Sequence, residues 1–302
     1  MSHVRELTTD VLVVGAGAAG CFAALRAARS PVSVIMVSKC PLGRGGATEV
    51  AESFLQAPFG HEDPRDNPAV HCDDTVRGGY LLADRSLARA LADDACSRVA
   101  DLEEFGLGFT RNENGKIKQW LAAGYSYPRA CSPDHGGHGI MNTLQREVRS
   151  NRSIAILEDV QAVKCLNAST GAVCGVLAVD RASGEILTIS AKAVVIATGG
   201  NGAAWDHSDV PPDVTGDGMA MAYQAGADLV DMEMVLYYPT VAVAPQAIHG
   251  TELPGEMILR RAGAKLVNSL GQEFLPAEIP VRDKLSRLIF KEIAEGRGSP
   301  NG

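Results

Sequence analysis

No stretch of this sequence is apolar for long enough to cross a membrane as a helix, and the first ten residues, MSHVRELTTD, hold no signal-peptide core. Basic clusters are missing as well. The formal net charge is −8 and no run of lysine and arginine offsets it locally, which excludes a nucleic-acid partner. The seven cysteines, Cys21, Cys40, Cys72, Cys96, Cys131, Cys165 and Cys174, never fall in a CxxC spacing. That pattern excludes a disulfide framework, a zinc site and a cysteine-held iron–sulfur cluster in this chain, and reads as reduced thiols in a cytosolic protein. Internal repeats and low-complexity segments are absent. What remains is 302 residues, 46% hydrophobic and 21% charged, enough to bury a substantial core in one large or two ordinary domains.

The most informative stretch is Asp10–Gly20, DVLVVGAGAAG. Val11–Val14 is a short apolar run suited to one buried strand of a parallel sheet. It leads into Gly15-Ala-Gly17-Ala-Ala-Gly20 and then the alanine-rich, helix-forming Cys21–Arg29. Strand, glycine turn and helix in that order suit a dinucleotide pyrophosphate. Gly15 allows the tight turn, Gly17 lets the phosphates approach the backbone, Gly20 lets helix and strand pack closely, and the helix N-terminus offers N–H groups to the anion.

Val32–Val37 is the next buried strand and closes a βαβ unit. The acidic residue that often grips a cofactor ribose there is missing, and Ser38-Lys39 take its place; a serine hydroxyl can still bond a ribose. Cys40–Ala51 reads as a glycine-rich loop around Arg44, suited to close backbone approach to a flat ligand. Phe54–Val76, with Pro58, Pro64 and Pro68, reads as an irregular connection. Asp84–Phe105 is a helix with Asp84 as N-cap and a stripe of Leu87, Leu91, Ala95, Val99, Leu102 and Phe105. Tyr125–His138 is a polar loop ahead of a helix over Gly139–Val148, and its His135 and His138 are loop histidines of the kind that serve sites. Val160–Leu166, Val173–Val179 and Ile186–Ile189 form an antiparallel meander, followed by a separate buried strand over Ala193–Ala197. Thr215-Gly216-Asp217-Gly218 then opens a second helix at a glycine turn, with Asp217 poised for a chain of hydroxyls.

The order of motifs resembles the flavoprotein subunits of succinate dehydrogenase and fumarate reductase, with L-aspartate oxidase as a close relative. The matching pieces are GAGAAG at Gly15–Gly20, Ser38-Lys39, DTVRGG at Asp74–Gly79, GGHG at Gly136–Gly139, ATGG at Ala197–Gly200 and TGDG at Thr215–Gly218. DMEM at Asp231–Met234, VRDKLSR at Val281–Arg287 and EIAEGRG at Glu292–Gly298 continue the series. The resemblance implies an α/β chain: a Rossmann-like FAD-binding domain with a β-meander insertion over residues 1–236, then the start of an α+β capping domain over 237–302. It implies FAD held by Gly15, Gly17, Ala18, Ala19 and Gly20, by Ser38, Lys39, Arg44, Gly45, Gly46, Thr48 and Ala51, and by Asp217. Arg282 becomes the proton donor to the substrate, Arg260 and Glu256 its relay, and Tyr238 and His138 the substrate-binding candidates, with no metal. A small carboxylic acid is the implied substrate and an iron–sulfur or other electron-transfer subunit the implied partner. The implied location is the cytoplasm, or the inner face of a membrane through that partner.

Three departures qualify the resemblance. Members with covalent flavin carry a histidine where Gly46 stands, so FAD is expected to dissociate. A substrate-binding histidine is replaced by Tyr238, and the pair ahead of the relay arginine is Glu256-Met257. Substrates other than succinate and fumarate are thereby left open. Family members also continue beyond the EGRG motif, so the chain is expected to be a fragment or to be completed by a second polypeptide. An aspartate oxidase-like enzyme and a non-catalytic flavin-binding remnant stand as alternatives.

Overall fold

The structure, a computed structural model, describes residues 4–51, 54–122, 124–206, 208–248, 250, 263–276 and 281–300. The chain divides into two compact units, Met1–Ala204 with Val210–Leu229, and Trp205–Asp209 with Val230–Gly302.

The first unit is built on a six-stranded sheet. Strand β1 (Val4–Val14) pairs in parallel with β2 (Val34–Val37), and β2 in parallel with β6 (Ile154–Leu157). On its other side β1 runs parallel to β9 (Ile186–Ile196) over its whole length. β9 also pairs antiparallel with β8 (Val173–Asp180), and β8 with β7 (Val160–Asn167). The sheet order is therefore β6-β2-β1-β9-β8-β7. A small second sheet joins β3 (Leu55–Gln56), β5 (Ala130–Cys131) and β4 (Gln119–Trp120), with β5 in the middle.

Residue alternation along β1 divides the core in two, as the two-residue period of a strand requires. Val13, with Val34 and Met36, faces the helices α1 (Ala18–Ala27), α4 (Arg85–Glu104) and α5 (Gly136–Ser150) through Cys21, Ala24, Val99, Leu102, Met141 and Leu144. Leu12 and Val14 face the other way, against Val160, Ala162, Val176 and Leu187 of the meander and Met221 of α6 (Asp217–Gln224). Each such fully buried aliphatic side chain contributes about 1.5–3 kcal/mol relative to exposure. The architecture is thus an α/β sheet covered by helices on one face and by its own meander and α6 on the other. Among the described residues no helix is long and apolar enough to cross a membrane.

Several local expectations change. Pro68 does not belong to an irregular connection; it opens α3 (Pro68–Gly78). Asn67 caps that helix, its side chain accepting from the N–H groups of Ala69 and Val70 at 2.9 and 3.2 Å. Proline at the first helical position loses nothing, because that N–H has no intrahelical partner anyway. Helix α4 is capped by Asp84 as expected, but its stripe is rotated: Leu87 and Leu91 are exposed, and Ala88 and Ala92 turn inward with Val99 and Leu102. The helix from residue 139 begins earlier, at Gly136, which places His138 in its first turn instead of on a loop. The expected separate strand over 193–197 is the second half of β9, and it is not buried, since Val195 and Ile196 are 37% and 39% exposed. Ser190-Ala191-Lys192 carries no glycine or proline to break the strand.

The second unit contains α7 (Arg282–Ala294), which buries Leu285 completely. Glu292 near its end accepts from Asn268 at 3.0 Å and from Arg297 at 2.7 Å, fixing the EGRG turn to the helix.

Candidate functional site

The C-terminal ends of β1, β2 and β9 lie side by side, with β1 between the strand that follows it, β2, and β9, which the chain reaches only through the meander. Such a switch point leaves a crevice beyond the strand ends. Here it is a cleft of about 440 Å³ in the first unit. Its floor is built by glycines that have no room for a side chain. Gly15, at φ 106°, donates its N–H to Val37 O at 2.8 Å, and a Cβ there would lie 2.2 Å from Ala197 O. At Gly20 a Cβ would lie 1.9 Å from Gly15 O, so helix α1 is packed on the turn through this residue. Gly17 differs. Its backbone is ordinary (φ −72°), and an added Cβ would meet only Thr48 Oγ1, at 3.4 Å.

Gly17 is the N-cap of α1 without a side-chain cap, and Ala18 N–H donates to Thr48 Oγ1 at 3.3 Å. Ala18 and Ala19 of that first turn line the cleft. Opposite them α6 starts at Gly216, in the left-handed region at φ 79°, so two helix N-termini border one cleft. Both ends favour negative charge.

The rim is joined by polar contacts between distant segments. Lys39 Nζ lies 2.7 Å from both Asp217 Oδ2 and Thr215 Oγ1, and Gln161 Nε2 lies 3.4 Å from the same carboxylate. Partial burial pushes the Asp217 carboxyl up, but bonds from Lys39 and Thr215 outweigh it and hold it below its ordinary value of 3.8, so this carboxyl is ionised at neutral pH. Asp213 Oδ2 accepts from Gly46 N–H at 2.8 Å and ties the glycine-rich loop to the segment before α6. Burial, and then Asp213, raise the Cys40 thiol above its ordinary value, which keeps it a neutral thiol. Ser38 Oγ donates to Cys40 O at 2.6 Å.

Gly15, Gly17, Ala18, Ala19, Ser38, Lys39, Gly45, Gly46, Thr48 and Asp217 all line this cleft. Gly20 lies beneath it, and Arg44 is exposed beside it. The segment expected as loop ends in a short helix, α2 (Ala47–Val50), and Ala51, its C-cap, is one step removed from the cleft, in helix packing: a Cβ on Gly137 of α5 would lie 1.9 Å from Thr48 O and 2.8 Å from Ala51 N. His138 is exposed, with Nδ1 2.5 Å from Glu49 Oε1 and Nε2 2.7 Å from Asn142 Nδ2, and it is not part of the lining. Gln161, Thr198, Gly199, Gly200 and Asp213 also line the cleft. The glycines after β9 carried a sequence signal as a second strand-end turn, whereas Asp213 and Gln161 carried none.

In the second unit the structure brings two expected residues together. Arg282, first residue of α7, stacks its guanidinium 4.7 Å from the centre of the Tyr238 ring, with Nη2 3.4 Å from the phenol oxygen. Glu256 and Arg260 lie outside the described residues.

Residues 10–301 match the FAD_binding_2 family, whose members are described as FAD binding domain. A fumarate reductase (CoM/CoB) polypeptide of Methanothermobacter marburgensis is 38% identical over 97% of this chain and 54% of its own length. The 8-methylmenaquinol:fumarate reductase flavoprotein subunit of Wolinella succinogenes is 35% identical over 97% of this chain and 48% of its own. Among solved structures, Mycobacterium smegmatis Sdh1 in complex with UQ1 superposes with a TM-score of 0.86 at 32% identity, covering 98% of this chain and 51% of that one. The chain spans about half the length of the relatives it matches.

Proposed function

This chain belongs to the FAD binding domain family, and from that premise we propose that it holds FAD without a covalent bond and serves hydride exchange between flavin and the CH–CH bond of a small α,β-unsaturated carboxylic acid. The observation that carries the reading is the division among three glycines: no room for a Cβ at Gly15 and Gly20, and room at Gly17, on the cleft. That is the arrangement a pyrophosphate needs above a helix N-terminus. Gly15, Gly17, Ala18 and Ala19 would hold the pyrophosphate, Ser38 and Lys39 the ribose, and the 45–48 loop with Asp217 the hydroxyl chain and ring. Gly46, where covalent attachment would need a histidine, sits at φ 78°, a backbone region that side chains rarely adopt.

FAD supplies the hydride donor or acceptor when bound. Arg282 would deliver the proton to the substrate α-carbon, and its planar fork would stabilise the charge that develops there. Tyr238 would hydrogen-bond a substrate carboxylate, and Arg260 with Glu256 would return a proton to Arg282. Relatives named as subunits of fumarate reductases support an electron-transfer partner subunit, which the present chain would meet at the cytoplasmic side.

The test is single-turnover reoxidation of the pre-reduced protein by fumarate and a panel of other unsaturated acids. Arg282→Lys keeps the charge but loses the fork. It should slow reoxidation about 100-fold or more with the best acid, at near-normal flavin content. A surface ion pair at Arg282 would instead be worth about 1 kcal/mol or less, and wild-type reoxidation by Arg282→Lys would overturn the assignment.

A further inference from the structure

Helix α4 carries two exposed leucines and one wall of a cavity on a single face. Leu87 and Leu91 are 70% and 58% exposed. Further along the helix, Asp94, Arg98, Asp101 and Phe105 line a cavity of about 410 Å³. Its other wall is Phe22, Leu25, Arg26 and Arg29, from α1 and the turn after it. Phe22 and Phe105, with ring centres 6.3 Å apart, give the cavity an apolar lining together with Leu25. At 3.6 residues per turn, positions 87, 91, 94, 98, 101 and 105 all fall within about 40° of one line along α4. The leucines and the cavity therefore share a face, with Leu87 and Arg98 about 16 Å apart along the axis.

Such a face is complementary to itself. A two-fold axis crossing α4 near Asp94 sets a second α4 antiparallel to the first. Leu91 of each copy then faces Arg98 of the other, and Leu87 lies beside Asp101, so both leucines sit over the other copy's cavity. The contact is isologous: it is made twice and closes on itself. The charges agree with this arrangement. Arg98 is paired with Asp101 at 2.8 Å, whereas Arg26, Arg29 and Asp94 have no ion-pair partner among the described residues. Around the axis each copy brings Arg26 and Arg29 to the other's Asp94. Apolar side chains beside an apolar-lined cavity, rimmed by charge, are the make-up of a protein contact.

We propose that the α1–α4 face joins two copies of this chain as a two-fold dimer, with Leu87 and Leu91 of each copy seated in the other's cavity. The dimer is independent of the reading of Arg282 and of the cofactor cleft.

Sedimentation equilibrium of the purified chain at tens of micromolar should give the mass of two chains. Leu87→Asp combined with Leu91→Asp should raise the dissociation constant about a hundredfold or more and give the mass of one chain. Both residues are exposed, so far-ultraviolet circular dichroism and the unfolding midpoint should match wild type. A charge swap identifies the partner as a second copy. Arg26→Glu with Arg29→Glu places like charges across the axis, and Asp94→Arg in a separate chain does the same, so each variant alone should be a monomer. Mixed in equal amounts, with one of them fluorescently labelled, the two should form a one-to-one dimer, because every charge contact across the axis is then opposite in sign. A single-chain mass for wild type would overturn the dimer. Undiminished association of the leucine variant would place the interface on another face and overturn the proposal equally. Charge variants that dimerise alone, or that fail to associate when mixed, would contradict the two-fold pairing.

Discussion

Gly17 separates two requirements that coincide at Gly15 and Gly20. At those two positions a side chain would collide with backbone, so substitution there damages the turn whatever binds. A side chain at Gly17 meets only the Thr48 hydroxyl at 3.4 Å and otherwise enters the cleft. Gly17→Val should therefore fold, with unchanged far-ultraviolet circular dichroism, and purify without flavin. Flavin at the wild-type ratio in that variant would show that the cofactor is bound elsewhere. These three glycines are legible in the sequence because their roles depend on neighbours close along the chain. Asp213 and Gln161 are not, because each acquires its partner only when segments far apart in sequence meet: Asp213 lies 167 residues from Gly46, and Gln161 lies 56 from Asp217. Lys39 and Asp217 are each legible singly, as a strand end and a helix start, but their pairing is not.

At the scale of elements, α3 and the small sheet are locked by charges with no access to solvent. Arg129 Nη2 lies 2.8 Å from Asp66 Oδ1 and 2.7 Å from Asp74 Oδ2, and all three side chains are fully buried. Burial drives the Asp66 carboxyl above its ordinary value despite Arg129. Burial acts the same way on Asp74, but bonds from Ser126 and the Arg129 charge outweigh it and hold that carboxyl low. Removing one partner of such a buried group costs about 3–5 kcal/mol. Arg129→Met should lose stability of that size in urea unfolding at pH 7. Both carboxyls lose a charge that lowers them; Asp66, already above its ordinary value with Arg129 present, rises further, while Ser126 and Arg77 still act to lower Asp74. The folded variant then binds more protons than its unfolded chain, and its deficit relative to wild type should shrink between pH 7 and pH 5. An unchanged deficit across that range would show that the carboxylates do not depend on Arg129.

The same element shows why part of the fold escapes a reading of the chain. Pro68 suggests a break when it is counted with Pro58 and Pro64, yet after Asn67 it is a helix start, and the cap decides between the two. Arg129 sits in a polar, turn-rich stretch that suggests a surface loop, and its burial depends on Asp66 and Asp74, 63 and 55 residues away. The inward turn of Ala88 and Ala92 in place of Leu87 and Leu91 is likewise set by what α4 packs against, not by its own periodicity.

At the scale of the whole molecule, the first unit contains the cleft proposed for the dinucleotide, while the second unit contains the Arg282–Tyr238 pair proposed for the substrate. In the proposed reading cofactor retention and proton delivery fall to different units, so Gly17→Val should affect the first without the second and Arg282→Lys the second without the first. The claim beneath all of them is that the cleft beyond β1, β2 and β9 holds FAD by non-covalent contacts alone, with Gly46 at a backbone angle unsuited to a histidine. The measurement that tests this most directly is the visible absorption spectrum of the purified protein, taken before and after acid precipitation. A bound-flavin spectrum, with all of the flavin recovered in the acid supernatant as FAD, is the result expected. Flavin that stays with the precipitated protein, or a protein that purifies colourless and takes up no added FAD, would contradict it.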